Sequence, residues 1–289
     1  MERLSAKAYA KINLALDVTG RRADGYHLVS MIMQTLDLYD TVTVEKSSDP
    51  GIRMSCDRPG IPCGSDNLMV RAAEAFLTYC GIESGIQMTL EKRIPMAAGL
   101  AGGSSDAAQV LILLNRLFET GLSKETLQKI ALPLGADIPY CILGGTALSE
   151  GIGEVLQPLP DCPKLWVLLC KPPQGADTRA VYKAWDMLDH PLHPPVKQGM
   201  DALQEDDVGK LCDSVGNSLS EVTKKMLPVI SDIEERMRTY GASAACMSGS
   251  GPTVFGIFRE EETGRSAETK LKEAFPGFFT GLYRPIGRA

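Results

Sequence analysis

The chain lacks the sequence features that would place it in a membrane or outside the cell. No apolar run among its 289 residues approaches the roughly 20 residues that a membrane-spanning helix requires. The first five residues contain no apolar segment of the kind found in a signal peptide. The eight cysteines include no C-x-x-C pair, and the three histidines are not spaced as metal ligands. We therefore expect a cytoplasmic protein with reduced thiols and no structural zinc.

Basic residues are too few and too dispersed to form a nucleic-acid surface. Lys and Arg number 30 against 36 Asp and Glu, and the formal net charge is −6. The hydrophobic content of 44% and the charged content of 23% are typical of a globular protein. A chain of this length forms one large domain or two ordinary ones. We expect neither nucleic acid nor a membrane as partner.

One stretch of small residues stands out, which we call the glycine loop: Pro95-Met96-Ala97-Ala98-Gly99-Leu100-Ala101-Gly102-Gly103-Ser104-Ser105. Apolar alternation predicts a strand over residues 86–92 before the loop, and helical spacing predicts a helix as far as Phe118 after it. Ser104 or Ser105 is the expected N-cap of that helix. Glycines let backbone N–H groups converge on one point, where the helix dipole favours negative charge. The loop therefore predicts a phosphate cradle.

The glycine spacing alone leaves a second interpretation open. No Gly-Lys-Ser/Thr closes the loop as in a Walker A motif, and Gly99, Gly102 and Gly103 do not give G-x-G-x-x-G. A turn of small residues that lets a helix pack tightly on its strand would have the same composition. Other parts of the chain have to distinguish a phosphate site from a packing turn.

Strand and helix patterns alternate along the whole chain and divide it in two. Further strands are predicted at 9–18, 28–35, 41–45, 165–170, 242–247, 253–258 and 279–283, and further helices at 68–79, 123–130, 180–185, 208–215, 228–240 and 266–275. Ser65 or Asp66 is the expected cap of the helix at 68. Prolines at 158, 160 and 163 mark the expected domain boundary. We predict an α+β fold with domains over residues 1–158 and 159–289.

Three further stretches share the small residues and hydroxyls of the glycine loop. They are Lys11-Ile12-Asn13, Leu134-Gly135-Ala136-Asp137 and Met247-Ser248-Gly249-Ser250-Gly251-Pro252. Taken singly, each has an ordinary structural explanation. Lys11 would be a solvated strand residue, and Asp137 would be a helix N-cap. We call Met247–Pro252 the serine loop, and its segment 248–252 would be a tight turn.

Together with the glycine loop, these stretches resemble the GHMP kinase superfamily in the same order along the chain. The segments 21–27 and 66–68 fit the same resemblance, which spans residues 10–252. The resemblance implies a two-domain α+β fold with an ATP and substrate cleft between the domains. It also implies a kinase that uses ATP and Mg²⁺ to phosphorylate a small-molecule alcohol, here a cytidyl-linked polyol. Monomer and homodimer both remain open.

The resemblance assigns a role to each matching residue. It places the ATP phosphates on the glycine loop, where Ser105 helps to hold Mg²⁺, and the purine beside Asn67. It assigns the catalytic pair to Lys11 and Asp137. The acceptor is expected to contact Asn13, Tyr26, His27, Tyr182, Ser248 and Gly249. Members of the superfamily often carry glycine where this chain has alanine at 97, 98 and 101. The phosphate contacts are therefore expected chiefly at Gly99, Gly102 and Gly103.

Phosphoryl transfer suits these residues, because it requires mainly positioning and neutralisation of charge. Asp137 is expected to accept the proton of the acceptor hydroxyl, and the ammonium of Lys11 to keep that carboxylate ionised. One alternative is another small-alcohol kinase, such as a homoserine or mevalonate kinase, whose acceptor has no base to stack on Tyr26 and His27. The other is a non-catalytic ligand sensor, which would need neither Lys11 nor Asp137.

Overall fold

The computed structural model describes residues 2–288, which pack as two compact units. The first unit contains the chain up to Ala10 together with Leu38–Ile94 and Ala101–Leu143. The second contains Lys11–Asp37, Pro95–Leu100 and the chain from Gly144 onward. Two long strands, β1 (Arg3–Arg21) and β2 (His27–Ser47), contribute residues to both units. The chain thus enters each unit more than once, and the domain boundary at 158/159 stays a prediction.

The first unit packs helices on strands around one apolar core. Its further elements are β3 (Ile52–Cys56), α1 (Leu68–Cys80), β4 (Gly85–Glu91), α2 (Gly102–Leu117), α3 (Lys124–Ala131) and α4 (Ile138–Leu143). Strand β4 runs antiparallel to β2 and parallel to β3. Ile86, Met88 and Leu90 alternate inward on β4, as the sequence predicts, and are buried in the same core as Phe76 of α1 and Leu111 of α2.

The second unit contains two groups of strands. Strand β5 (Thr146–Glu150) pairs with β2 and forms a hairpin with β6 (Val155–Pro158), while β8 (Gly216–Asn217) lies parallel to β1. Strands β7 (Trp166–Lys171), β9 (Ala244–Met247), β10 (Val254–Phe258) and β11 (Phe279–Tyr283) form an antiparallel sheet in the order β11-β7-β10-β9. The helices are α5 (Thr178–Trp185), α6 (Val196–Gln204), α7 (Val208–Ser214), α8 (Ser220–Met226), α9 (Val229–Thr239) and α10 (Glu261–Ala274).

Strand β2 is continuous where the sequence analysis predicts two strands, at 28–35 and 41–45. Leu36 and Leu38 are buried between those segments, so the inward alternation never stops and no turn can form. Strands β3 and β8 and helices α6 and α8 are among the elements that are not predicted. Each is short, and a short element gives too few repeats for its period to be recognised.

The helix caps are partly as predicted. Ser123 caps α3 and accepts the N–H of Thr126, which confirms the prediction. The cap of α1 is Asn67, whose side chain accepts the N–H of Met69 at 2.8 Å, so the prediction of Ser65 or Asp66 is wrong by one or two residues. Across residues 2–288, no helix combines the length and the apolar character needed to cross a membrane.

Candidate active site

The glycine loop has left-handed backbone at three positions. Ala97, Gly99 and Ala101 have φ values of 47°, 71° and 54°. For alanine this conformation is strained, at a cost of roughly 1–2 kcal/mol per residue. Left-handed residues within a turn direct successive N–H groups to one side and create a concavity that binds anions. Strained backbone of this kind is common at ligand sites, which makes the loop a candidate for one.

Gly99 stands where no side chain fits. A Cβ atom on Gly99 would lie 2.2 Å from the carbonyl oxygen of Ser248. The hydroxyl of Ser248 in turn donates to the carbonyl oxygen of Gly99 at 3.0 Å. Within the second unit, the glycine loop and the serine loop therefore touch backbone to backbone.

Helix α2 begins at Gly102, two residues before the earlier of the two predicted caps. The N-cap position belongs to Ala101, which has no side-chain acceptor for the first N–H groups of the helix. Ser104 and Ser105 lie inside the first turn, so the prediction that one of them caps the helix is wrong. The left-handed Ala101 starts the helix without needing a hydroxyl. A helix that starts without a side-chain cap presents N–H groups and the positive end of its dipole to an anion.

Lys11 and Asn13 point to the same face of β1, because they are two residues apart on a strand. Both are buried, so the interpretation of Lys11 as a solvated residue is wrong. The ammonium of Lys11 donates to Asn13 Oδ1 at 2.8 Å. The backbone N–H of Asn13 donates to Ser248 Oγ at 3.2 Å, and that of Lys11 to the carbonyl oxygen of Leu100 at 3.1 Å. The second unit thus brings Lys11, Asn13, the serine loop and part of the glycine loop together.

Sequence reasoning missed Asn217, which holds the serine loop in place. The buried amide of Asn217 donates to the carbonyl oxygens of Met247 and Gly249, each at 2.8 Å. The Oδ1 atom of the same side chain accepts the N–H of Leu219 at 2.9 Å. This Asx-type turn ahead of a helix is the only local signal that could have drawn attention to the residue.

The predicted acceptor residues His27 and Tyr182 lie together in the second unit. Their ring centroids are 4.7 Å apart with the planes tilted by 32°. His27 Nε2 bonds Asp186 Oδ1 at 2.6 Å, and the indole of Trp185 meets His27 edge-on at 6.0 Å. The side chain of Tyr26 is 60% exposed and does not pack in the core. Neither Trp185 nor Asp186 was predicted, because no motif marks them and their partner lies in a distant part of the chain.

Asn67 and Asp137 belong to the first unit. Asn67 caps α1 as described, and its amide also donates to the carbonyl oxygen of Pro62 at 2.7 Å. Asp137 is half-buried directly before α4, and its carbonyl oxygen accepts the N–H of Cys141 at 3.1 Å. Both residues therefore start a helix, and their roles toward a ligand stay predictions.

Two family models match the chain. The GHMP kinase N-terminal domain matches residues 67–145 and the GHMP kinase C-terminal domain matches residues 200–277. The crystal structure of an L. major mevalonate kinase has a TM-score of 0.77 to this chain at 19% identity, covering 99% of this chain and 98% of that one, which shows a shared fold. The fold and these domains define a GHMP kinase, and the predicted α+β fold is confirmed.

Proteins with higher sequence identity to this chain identify a narrower family within the GHMP kinases. The 4-diphosphocytidyl-2-C-methyl-D-erythritol kinase of Lachnoclostridium phytofermentans is 46% identical over 98% of both chains, and that of a Clostridium botulinum strain is 44% identical over 96% of this chain and 98% of its own. A crystal structure of 4-(cytidine 5'-diphospho)-2C-methyl-D-erythritol kinase has a TM-score of 0.82 at 34% identity, covering 97% of this chain and 99% of that one. The chain belongs to the 4-diphosphocytidyl-2-C-methyl-D-erythritol kinase family. It is a phosphotransferase that uses ATP as the phosphoryl donor.

Proposed function

We propose that this enzyme transfers the γ-phosphoryl group of ATP to the 2-hydroxyl of 4-diphosphocytidyl-2-C-methyl-D-erythritol, in the non-mevalonate route to isoprenoid precursors. The observation that carries the proposal is the buried network of Lys11, Asn13, Ser248 and Gly99. It links a buried ammonium to a loop whose backbone is shaped for an anion. The enzyme acts in the cytoplasm on this small molecule, without nucleic acid or membrane, as a monomer or homodimer.

The triphosphate is held by backbone N–H groups of the glycine loop. Gly102 and Gly103 open α2, where the helix dipole and the first N–H groups favour negative charge. The left-handed residues at 97, 99 and 101 shape the preceding backbone. The purine of ATP lies on the side of Asn67, at the start of α1. Helix α1 packs against α2 in the first unit, where a Cβ atom on Gly103 would lie 3.8 Å from Leu68 Cδ1.

Mg²⁺ would accompany the nucleotide, and Ser105 would supply one of its ligands. Among residues 2–288 no group of three or more His, Cys, Asp or Glu side chains is arranged as a metal site. The hydroxyl of Ser105, on the first turn of α2, would supply one oxygen ligand, and phosphate oxygens and water would supply others. When bound, the ion neutralises charge on the phosphates.

The acceptor hydroxyl is activated by Asp137 and Lys11. A tertiary alcohol is a poor nucleophile at neutral pH, so a carboxylate that accepts its proton in the transition state accelerates the reaction by roughly 10²–10⁴-fold. Asp137 has this role. Lys11 supplies positive charge beside the developing alkoxide or the γ-phosphate, and Asn13 fixes the direction of its ammonium.

The cytidyl group binds at His27, with Tyr26 and Tyr182 beside it. In the neutral ring, donation from Nε2 to Asp186 leaves Nδ1 as a hydrogen-bond acceptor. The exocyclic amino group of cytosine is a donor, so the two groups are complementary. Aromatic rings provide faces on which a base stacks, worth about 1–3 kcal/mol.

The test is a comparison of acceptors. ADP release is measured with the cytidyl-linked methylerythritol, with methylerythritol lacking the cytidyl group, and with homoserine and mevalonate. We expect kcat/KM for the cytidyl-linked acceptor to exceed the others by at least a hundredfold. Equal values for the linked and unlinked polyols would show that no base pocket exists, and faster turnover of homoserine or mevalonate would contradict the proposed acceptor.

A further inference from the structure

A buried ionic cluster lies in the first unit, next to the start of α2. Lys92, directly after β4, donates to Asp106 Oδ2 of α2 at 2.7 Å and also to Asp40 Oδ2 of β2. The three side chains are at most 5% exposed. We call this cluster the Lys92 triad (Asp40, Lys92 and Asp106). It connects two strands and a helix through a single ammonium group.

Asp40 also fixes the chain that leads into the glycine loop. Its second oxygen, Oδ1, accepts the N–H groups of Arg93 and Ile94, the latter at 2.8 Å. Both oxygens of Asp40 are therefore engaged, one by Lys92 and one by the backbone just before the loop. The triad holds the entrance of the loop and its exit into α2 at the same time.

The ammonium of Lys92 lies against the first residue of α2. A Cβ atom on Gly102 would come within 2.9 Å of Lys92 Nζ and 3.0 Å of Ile94 Cγ2. A cation at the start of a helix interacts unfavourably with the helix dipole, so the ammonium of Lys92 would destabilise an isolated α2. Burial acts to lower the pKa of Lys92, but Asp106 and Asp40 outweigh it and raise that pKa above its ordinary value. The ammonium is thus kept charged at the end of α2 where phosphate is proposed to bind.

One oxygen of the triad is left without a donor. Asp106 Oδ1 is buried and has no hydrogen-bond partner within residues 2–288. Burying two carboxyl groups and one ammonium costs desolvation energy, and such clusters are weak contributors to stability. Because the cluster is unfavourable for the helix and incompletely paired, we infer that it serves to fix the geometry of the glycine loop.

We propose that the Lys92 triad is a positioning device for the nucleotide: it fixes the Gly102 end of α2 against the end of β4, so that the N–H groups of Gly102 and Gly103 face the triphosphate. This inference rests on the proposed function, in which the glycine loop binds ATP. Lys92 and Asp106 act through the backbone of the loop and not by contact with the acceptor. Their loss weakens nucleotide binding and leaves acceptor binding unchanged.

The test compares Asp106→Ala, Asp106→Asn and Asn115→Ala. Asn115 anchors the other end of α2 through bonds to Thr120 Oγ1 and to both backbone groups of Leu122, so it controls for loss of a polar anchor on the same helix. The Kd of a non-hydrolysable ATP analogue is measured by calorimetry, alongside the melting temperature and the KM of the acceptor. Asp106→Ala is expected to raise the Kd of the analogue at least tenfold. Asp106→Asn, which still offers Lys92 an oxygen, stays within threefold of wild type, and Asn115→Ala lowers the melting temperature without changing the Kd.

Two results would separate failure of this inference from failure of the proposed function. If wild type binds the analogue and Asp106→Ala binds it within threefold of wild type, the triad is structural only and the inference is wrong. If wild type itself does not bind the analogue, the proposed function fails. Should Asp106→Ala not fold, Gly102→Ala replaces it, because the added methyl displaces Lys92. An unchanged Kd in Gly102→Ala would overturn the inference.

Discussion

Ser248 donates its hydroxyl to the carbonyl oxygen of Gly99 at 3.0 Å across a separation of 149 residues. The same oxygen atom of Ser248 accepts the backbone N–H of Asn13 at 3.2 Å. One hydroxyl thus joins a strand, the glycine loop and the serine loop within the second unit. A hydroxyl has one donor and two acceptor sites, and this residue type is therefore suited to such a bridge.

Replacing Ser248 by alanine is expected to lower stability by about 1–3 kcal/mol. The substitution leaves the buried N–H of Asn13 and the carbonyl oxygen of Gly99 without their shared partner, and unsatisfied buried groups are costly. Urea unfolding of the variant measures the loss. Ser231→Ala, at an exposed position of α9, is the control and should stay within about 0.5 kcal/mol of wild type. An equally small effect at Ser248 would contradict the bridge.

Asp137→Asn is expected to lower kcat by ~10²-fold or more while the melting temperature stays close to that of wild type. The amide keeps the shape of the side chain and its ability to start α4 but cannot accept the proton. Lys11→Met should lower kcat similarly, since it removes the charge that Asn13 directs. Steady-state kinetics at saturating substrates measures both, with the exposed Asp213→Asn as control. A kcat near that of wild type in Asp137→Asn would leave Asp137 as a helix cap.

Gly103→Val is expected to raise the KM for ATP at least tenfold and to change stability much less. A Cβ atom here meets only Leu68 Cδ1 at 3.8 Å, an ordinary contact, so the fold accommodates the start of a side chain. The branched methyl groups crowd the N–H groups at the beginning of α2, where phosphate is proposed to bind. Kinetics with varied ATP and a thermal melt distinguish the two effects. A variant that melts early but binds ATP normally when folded would make the loop a packing turn.

His27→Ala and Tyr182→Ala are expected to raise the KM for the cytidyl-linked acceptor by about tenfold each, which corresponds to the energy of one stacked base. The two rings lie 4.7 Å apart and His27 is oriented by Asp186, so each substitution damages the same surface. The KM for ATP should not change in either variant. Tyr26→Ala should behave in the same way. Parallel increases in both KM values would indicate a general loss of structure instead of a base pocket.

The free energy of unfolding is expected to decrease as the pH rises, on account of Asp106. Burial raises the pKa of Asp106 to about 7 in the folded protein, while the unfolded value lies near 3.9. Between these values the folded state holds a proton that the unfolded state has lost. Stability from this group is therefore greatest below about pH 4, declines by up to about 1 kcal/mol per pH unit as the pH rises, and levels off above about pH 7.

The measurement is urea unfolding of wild type and Asp106→Asn at several pH values between 4 and 8. The asparagine does not titrate, so the difference between the two proteins isolates the carboxylate from every other group. We expect wild type to lose stability relative to Asp106→Asn as the pH rises through this range. A constant difference would show that Asp106 keeps an ordinary pKa.

Most of the local structure could be predicted from the sequence. The strand before the glycine loop, the helix after it and strand β11 (Phe279–Tyr283) follow the predicted patterns, because a period of two or of about 3.6 shows directly in the spacing of apolar residues. The family was likewise recognisable, since its motifs are short and keep their order along the chain. The start of α2 could not be predicted, because the residue type of Ala101 does not indicate its left-handed conformation.

The sequence by itself determined most of the strands and helices, the glycine loop and the kinase family, because each of these leaves a pattern within a short stretch of chain. Only the tertiary structure decided which polar residues support the site. Asn217 holds a loop 30 and 32 residues away, Asp186 orients a histidine 159 residues away, and Asp40 reaches Lys92 across 52 residues. In the sequence each looks like a surface residue. The hydrogen bonds of all three, and the burial of Asn217 and Asp40, arise only when packing brings distant backbone together and leaves polar groups that must be paired.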